Sequence, residues 1–186
     1  MGFRYEIRLS GEGGQGLVLA GKVLAEAAAI YDGRNATQSQ SYGPEARGGA
    51  SRSEVIISDE DIDYPKAVNI DLLLALTQEA CDKYWHDLKN DGILIVDSSV
   101  VKKLPPGKFR ILSLPIIESA REKVGRALVA NVVALGIITE LSGVVTPKSI
   151  ESAVMARVPK GTEELNLKAL KTGFEMAKPL KTAAKV

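Results

Sequence analysis

The stretch of sequence that decides the fold is "RLSGEGGQGLVLAGKVLAEAAAIYDG", residues 8–33. It joins an alternating, β-rich segment to a run of glycines and then to apolar residues at helical spacing. The pattern predicts a strand over 4–10, a tight turn at Gly11–Gly16, and a helix that closes at Asp32 and Gly33. A strand, a glycine turn and a helix in this order indicate the start of a βαβ unit.

The rest of the chain continues this alternation. Strands are predicted at 50–58, 70–76, and in "ILIVDSS" and "FRILSLP", and polar "NATQSQS" is a weaker strand candidate. A helix is predicted over 78–89, followed by a turn at Asn90–Gly92. The fold class is therefore α/β, with a Rossmann-like, largely parallel βαβ sheet in a single domain spanning 1–186.

The last third of the chain is predicted to be helical. Its helices are "REKVGRALVANVVALGIITELSG", "TPKSIESAVMARV" and "GTEELNLKALKTGFEMAKPLKTAA". Thr146 and Thr162 are the expected N-caps of the second and third of these helices. The sequence leaves open whether these helices cover the sheet or form a small subdomain.

Composition excludes several functional classes. The net charge of the 186 residues is +1, so bulk charge favours neither nucleic acid nor an anionic membrane as a partner. No apolar run has the length of a membrane span, and no secretory signal pattern is present, so we expect a cytoplasmic protein. The single cysteine, Cys81, and the single histidine, His86, cannot by themselves form a disulfide, an iron–sulfur site or a Cys/His zinc site.

The glycine turn matches G-x-G-x-x-G, and its peptide N–H groups at a helix N-terminus suit phosphate or carboxylate. A dinucleotide site also needs an acidic side chain at the end of the second strand. "NATQSQS" contains none, so the dinucleotide interpretation is incomplete. A turn that serves only close packing remains a further alternative.

A second unusual segment is "SQSYGPEARGGASRSEVIIS", residues 39–58. Turn-forming glycines flank Glu45 and Arg47, and a guanidinium can bind a phosphate or a carboxylate at two points. A solvated surface loop is the competing interpretation of this segment.

Together these stretches resemble the gamma subunit of 2-oxoacid:ferredoxin oxidoreductases, over nearly the whole chain. The resemblance is carried by "GEGGQG", "SYGPEARGGASRSEVIISDEDIDYP", "DLLLALTQEACDKY" and "DGILIVDSS", and by "ALVANVVALGIITELSG" and "ELNLKALKTGFEMA". The opening "LSGEGGQGLVLAGKVLAEAA" is more similar to the 2-oxoglutarate enzymes than to the pyruvate enzymes. Indolepyruvate enzymes share the glycine loop, so a pyruvate- or indolepyruvate-specific subunit remains an alternative.

The resemblance implies an oxidoreductase subunit that is not active alone. Such enzymes oxidatively decarboxylate a 2-oxoacid, form an acyl-coenzyme A and reduce ferredoxin. With one cysteine and no thiamine diphosphate signature in this sequence, thiamine diphosphate, Mg²⁺ and iron–sulfur clusters are expected on partner subunits. The expected partners are alpha and beta subunits, with a delta subunit as a further candidate, and ferredoxin through the complex.

The role implied for this chain is to help bind coenzyme A and to complete the active site. The hypothesis assigns no catalytic residue and no metal ligand here, and places coenzyme A phosphates, or an adjoining subunit, at two loops. Asn131 either reaches the same site or is a satisfied interior amide. The predicted binding residues are Gly11, Gly13, Gly14, Gln15, Gly16, Ser41, Tyr42, Glu45, Arg47, Gly48, Gly49 and Asn131.

Two alternatives from other classes remain open on the sequence. One is a stand-alone, NAD-binding Rossmann oxidoreductase. The other is a purely structural subunit whose glycines serve packing alone.

Overall fold

The computed structural model describes residues 2–41 and 49–182, and within these ranges one sheet organises the chain. Its strands are β1 (Arg4–Glu12), β2 (Asn35–Ser41), β3 (Ala50–Ser58), β4 (Ile70–Ala75), β5 (Leu88–Asp97) and β6 (Arg110–Leu114). They lie in the order β2-β3-β1-β4-β5-β6. β1, β4, β5 and β6 are parallel, whereas β3 is antiparallel to both of its neighbours. The predicted α/β fold with a largely parallel sheet is confirmed.

Helices connect and cover these strands. They are α1 (Leu17–Glu26), α2 (Gln78–Tyr84), α3 (Ile116–Ser119), α4 (Ala130–Ser142), α5 (Pro147–Arg157) and α6 (Glu163–Thr182). α1 continues as a π-helical turn to Tyr31, and Gly33 then adopts a φ of 67°, as the predicted helix end requires. None of the described helices combines the length and apolar character of a membrane span.

The C-terminal helices cover one face of the sheet. The larger core joins Ile7 and Leu9 of β1 and Leu72 and Leu74 of β4 to buried residues of α1, α4, α5 and α6. The alternate residues of the same strands, such as Leu73, pack on the other face against α2. β4 is thus buried on both faces, as its continuous apolar run predicts.

Two predicted helices differ from the structure. The helix predicted over 78–89 ends at Tyr84, and Asn90–Gly92 lies within β5 and forms no separate turn. Leu88 pairs with Ile70 of β4, and the register then shifts so that 89–92 form an irregularity in the strand. Because Leu88 pairs with this distant strand, β5 begins at Leu88, earlier in the chain than the local sequence pattern predicts.

The first C-terminal helix is also interrupted. Gly125 adopts a φ of 108°, which separates a π-helical turn ending at Val124 from α4. Thr146 caps α5 as predicted, because its hydroxyl oxygen accepts a hydrogen bond from the Ser149 amide. Thr162 precedes α6, but its hydroxyl donates to the Pro159 carbonyl.

Candidate functional site

The glycine turn connects β1 to α1 at the carboxyl edge of the parallel strands. Gly14 and Gly16 have φ values of 95° and 72°, which strain any residue with a Cβ. The Gln15 side chain folds back, and its Oε1 accepts a hydrogen bond from the Glu12 amide at 2.8 Å. A Cβ on Gly11 would overlap that oxygen. The turn is therefore held in one conformation by its own residues.

Asn131 lies against this turn from α4. Its Nδ2 donates to the Gly16 carbonyl at 3.1 Å, and its Oδ1 accepts from the Val132 amide at 2.9 Å. A Cβ on Gly16 would lie 2.5 Å from Nδ2. The structure thus brings Asn131 to the turn, where both ends of its amide bond to the protein and join α4 to the start of α1.

The N-terminus of α1 is open to an anion. The first hydrogen bond within the helix runs from the Ala20 amide to the Gly16 carbonyl, so the amides of 17–19 have no acceptor in the helix. Among residues 2–41 and 49–182 no side chain caps this end, and its first turn contains no acidic residue. Lys22 and Arg157 line the same depression, of about 450 Å³. The helix dipole, the amides and Lys22 favour a negative charge here, whereas Arg157 is ion-paired with Glu26 and the Glu12 carboxylate opposes such a charge.

The second predicted segment approaches the turn through its described ends. Ser51 of β3 pairs with Gly11, and its hydroxyl donates to the Gly11 carbonyl at 3.4 Å. Ser41 is exposed at the same edge of the sheet, two strands away from β1. Gly49 lines a depression of about 190 Å³ with Gly11, Glu12, Ala50, Thr77 and Glu79. Tyr42, Glu45, Arg47 and Gly48 lie outside the described residues.

The strand order differs from that of a dinucleotide-binding fold. In that fold the second strand is parallel to the first and adjacent to it, and its end carries the acid that binds the ribose. Here antiparallel β3 lies beside β1, so Ser51 and Ala50 stand opposite Gly11 and Glu12. Uncharged β2 lies one strand further out. This arrangement does not favour the NAD-binding alternative.

An apolar cavity of about 280 Å³ opens beside the glycine turn, between α1, α4, α5 and α6. Gly16 and Asn131 form the part of its wall nearest the turn. The other polar residues that line this cavity are Arg126, Arg157, Thr162 and Asn166, and nothing in the sequence predicts them as neighbours. They lie in or beside segments with ordinary helical patterns, and only the packing of the helices brings them together.

Cys81 is a buried thiol that packs in the core of the protein. Burial, with a contribution from Asp82, raises the pKa of its thiol to about 11, so it is protonated and weakly nucleophilic at neutral pH. No cluster of three or more metal-ligating side chains that could hold an ion occurs within 2–41 and 49–182.

The fold defines a class: an α/β domain of Rossmann-like architecture whose first strand-to-helix turn is rich in glycine and leaves the first amides of α1 without an acceptor in the helix. Within that class, the chain belongs to the pyruvate ferredoxin/flavodoxin oxidoreductase family, which matches residues 6–176. The predicted resemblance and the assignment to an oxidoreductase subunit of this kind are confirmed.

Individual relatives agree with this assignment. The chain is 51% identical to 2-oxoglutarate synthase subunit KorC of Methanocaldococcus jannaschii, over 95% of this chain and 96% of that protein. The keto/oxoacid ferredoxin oxidoreductase gamma subunit of Geobacter sulfurreducens has 58% identity and a TM-score of 0.89, covering 95% and 98% of the two chains. A 2-oxoglutarate:ferredoxin oxidoreductase from Magnetococcus marinus shares the fold, with a TM-score of 0.83 and 22% identity, over 95% of this chain and 31% of that one.

Proposed function

We propose that this chain is the gamma subunit of a 2-oxoglutarate:ferredoxin oxidoreductase and that its glycine turn binds the phosphate groups of coenzyme A. The proposal of a phosphate ligand rests on one observation, the uncapped N-terminus of α1. The turn of Gly14, Gln15 and Gly16 lies directly in front of it. The similarity to the KorC relatives, which are 2-oxoglutarate synthase subunits, supports 2-oxoglutarate as the substrate. The Magnetococcus marinus structure has 2-oxoglutarate, coenzyme A and succinyl-CoA bound, and shares this fold.

In this function the chain binds and orients a ligand. The amides of 17–19 donate to phosphate oxygens, and Lys22 adds positive charge at the rim. Iron–sulfur clusters belong to partner subunits in this proposal, because one cysteine cannot hold a cluster, and thiamine diphosphate and Mg²⁺ belong there because this sequence lacks their signature. Alpha and beta subunits, with delta as a further candidate, supply those groups and the contact with ferredoxin.

The test is coenzyme A binding by the assembled complex. Lys22→Gln removes a charge beside the turn, whereas Lys66→Gln removes an exposed charge before β4, at the opposite edge of the sheet. We expect Lys22→Gln to raise the Kd for coenzyme A about three- to fivefold at low salt, an effect that added salt reduces, because a helix-terminus charge contributes roughly 1 kcal/mol. Lys66→Gln should leave the Kd unchanged.

Gly14→Ala tests the turn itself. Its Cβ would meet no neighbouring atom, so the substitution strains the backbone without a clash. We expect weaker coenzyme A binding with intact assembly. If Gly14→Ala and Lys22→Gln both leave coenzyme A affinity and turnover unchanged, the turn serves packing alone and the proposal is wrong.

The same complex tests the partners and the substrate. A gentle pull-down of the chain should recover subunits with a thiamine diphosphate signature and C-x-x-C motifs. Reduction of ferredoxin should be faster with 2-oxoglutarate than with pyruvate or indolepyruvate at equal concentration.

A further inference from the structure

The two edges of the sheet differ in how well they are protected against pairing with another strand. β6, at one edge, has five residues and begins with Arg110, whose guanidinium donates to the Leu180 carbonyl of α6 at 2.6 Å. β2, at the other edge, has seven residues, and none of them is charged or a proline. Charge, proline and short length are the usual means by which proteins block an edge strand, so β2 is the unprotected edge.

β2 is also regular and accessible. Its pairing with β3 runs without a register shift from Asn35 opposite Ser58 to Ser41 opposite Arg52. Asn35, Ser39 and Ser41 are exposed, and no other strand of the described residues pairs with the outer edge of β2. Because an extended strand carries backbone N–H and C=O groups along both of its sides, this edge offers a row of donors and acceptors to one more strand.

The strand that fits this edge is a second copy of β2. Two copies related by a two-fold axis perpendicular to the sheet pair antiparallel, and pairing over all seven residues places Gln38 on the axis. Thr37 then lies opposite Ser39 of the second copy, a hydroxyl pair of the kind that stabilises neighbouring strands. At the ends, Asn35 lies opposite Ser41 of the second copy, so no like charges meet. A strand of a different protein would be selected by side-chain pockets or charges, and the side chains of β2 supply no charge for such selection.

The helix beside β2 leaves room for this pairing. α1 lies over β3, since a Cβ on Gly21 would overlap the Ser53 hydroxyl. β3 and its symmetry copy are separated by three strand spacings of about 4.8 Å, or roughly 14 Å in total. Packed helices need only about 8–10 Å between their axes, so the two α1 helices do not collide.

We propose that β2 joins two copies of this chain into a two-fold dimer with one continuous sheet, to which each copy contributes its six strands. The strands of the two copies run in opposite directions, so the two glycine turns lie at opposite ends of the dimer. Each turn is thereby open to partner subunits of its own. A complex assembled on this dimer contains two copies of this chain.

Cysteine cross-linking tests the contact, both in the purified full chain and in the assembled complex. Gln38→Cys places a thiol beside its own symmetry copy on the axis, and Ser113→Cys places one at an exposed position of β6 as the matched control. The native Cys81 is buried and does not compete for the reagent. A short bifunctional thiol reagent should join two Gln38→Cys chains into a species of twice the chain's mass, and should leave Ser113→Cys chains single.

Paired charge variants test the register. Thr37→Lys with Ser39→Lys puts like charges opposite each other at two symmetric places, and we expect it to raise the dimer dissociation constant about tenfold at low salt in analytical ultracentrifugation. Thr37→Glu with Ser39→Lys puts opposite charges at the same places and should keep the dissociation constant within about threefold of the wild-type value. Because both variants alter the same two residues, a general loss of folding would affect both alike.

The outcomes decide what occupies this edge of the sheet. If Gln38→Cys chains fail to join in the purified chain or in the complex, two copies do not pair through β2. A cross-link between Gln38→Cys and a different subunit would assign the edge to a strand of that subunit and would equally overturn the dimer. Equal dissociation constants for the two double variants would refute the two-fold register. Coenzyme A binding at the glycine turn is measured separately, so its failure leaves the β2 contact standing.

Discussion

Replacing Gly136 by alanine should destabilise the protein by forcing α4 away from α6. Gly136 and Gly173 face each other where the two helices cross. A Cβ on Gly136 would overlap the Leu170 carbonyl oxygen and lie 3.0 Å from Gly173 Cα. A Cβ on Gly173 would likewise overlap the Val133 carbonyl oxygen and lie 2.9 Å from Gly136 Cα. Backbone atoms cannot rotate away, so the helices must separate by roughly 0.5–1 Å to restore ordinary carbon–carbon contact.

Two opposing effects set the magnitude for Gly136→Ala. Alanine is favoured over glycine within a helix by about 1 kcal/mol, whereas overpacking a core typically costs about 1–3 kcal/mol and sometimes more. Here the obstacle is backbone on a buried helix, so we expect a net loss of about 1–3 kcal/mol in the free energy of unfolding, measured by urea denaturation with an unchanged m-value.

Gly21→Ala in α1 is the matched control. There the overlapping atom is the Ser53 hydroxyl, which can rotate at the expense of one hydrogen bond from Gln38. We therefore expect a smaller loss than for Gly136→Ala. If Gly136→Ala were as stable as the wild type or more so, the close approach of α4 and α6 would be wrong.

Three further predictions concern single side chains. Burial alone would raise the pKa of Asp32. Its carboxylate accepts hydrogen bonds from the Ser149 hydroxyl and from the amide and hydroxyl of Thr146, and these bonds lower the pKa below its usual 3.8. Its stabilisation is thus present at neutral pH and lost as pH falls through the folded pKa, so Asp32→Ala should cost about 1–2 kcal/mol at pH 7 and less near pH 2 in urea denaturation. Glu12 places a carboxylate beside the glycine turn, so Glu12→Gln should lower the Kd for coenzyme A in a titration, and an unchanged value would separate Glu12 from the ligand. Cys81, with its raised pKa of about 11 and full burial, should react with iodoacetamide at pH 8 only after unfolding; rapid alkylation of the native protein would contradict this environment.

The parts of the fold that depend on local pattern were predictable from the sequence. β3 spans Ala50–Ser58 as predicted, and Gly33 ends the first helix, because alternation and helix-closing glycines act within a few residues. The end of α2 could not be predicted from the sequence, because Leu88 joins β5 by pairing with Ile70, eighteen residues earlier. A sequence pattern that covers only neighbouring residues does not contain such a pairing between strands.

The candidate site divides in the same way. The glycine turn is readable because its strand, its glycines and its helix are consecutive. Asn131 could be suspected as a polar residue within an apolar helix, although its partner, the Gly16 carbonyl, could not be identified. Arg126 and Asn166 could not be predicted, because the cavity they line is assembled from four helices.

The position of β3 explains how a turn with a dinucleotide spelling can serve a different ligand. In a dinucleotide-binding fold, the strand beside β1 is parallel, and its carboxyl end supports the ribose and directs the base to that side. Antiparallel β3 brings its first residues, Ala50 and Ser51, to that place, along with the end of the segment that joins it to β2. The N-terminus of α1 still favours an anion, because its amides do not depend on the neighbouring strand. Strand order, in addition to the glycine pattern, therefore decides whether a dinucleotide fits this turn.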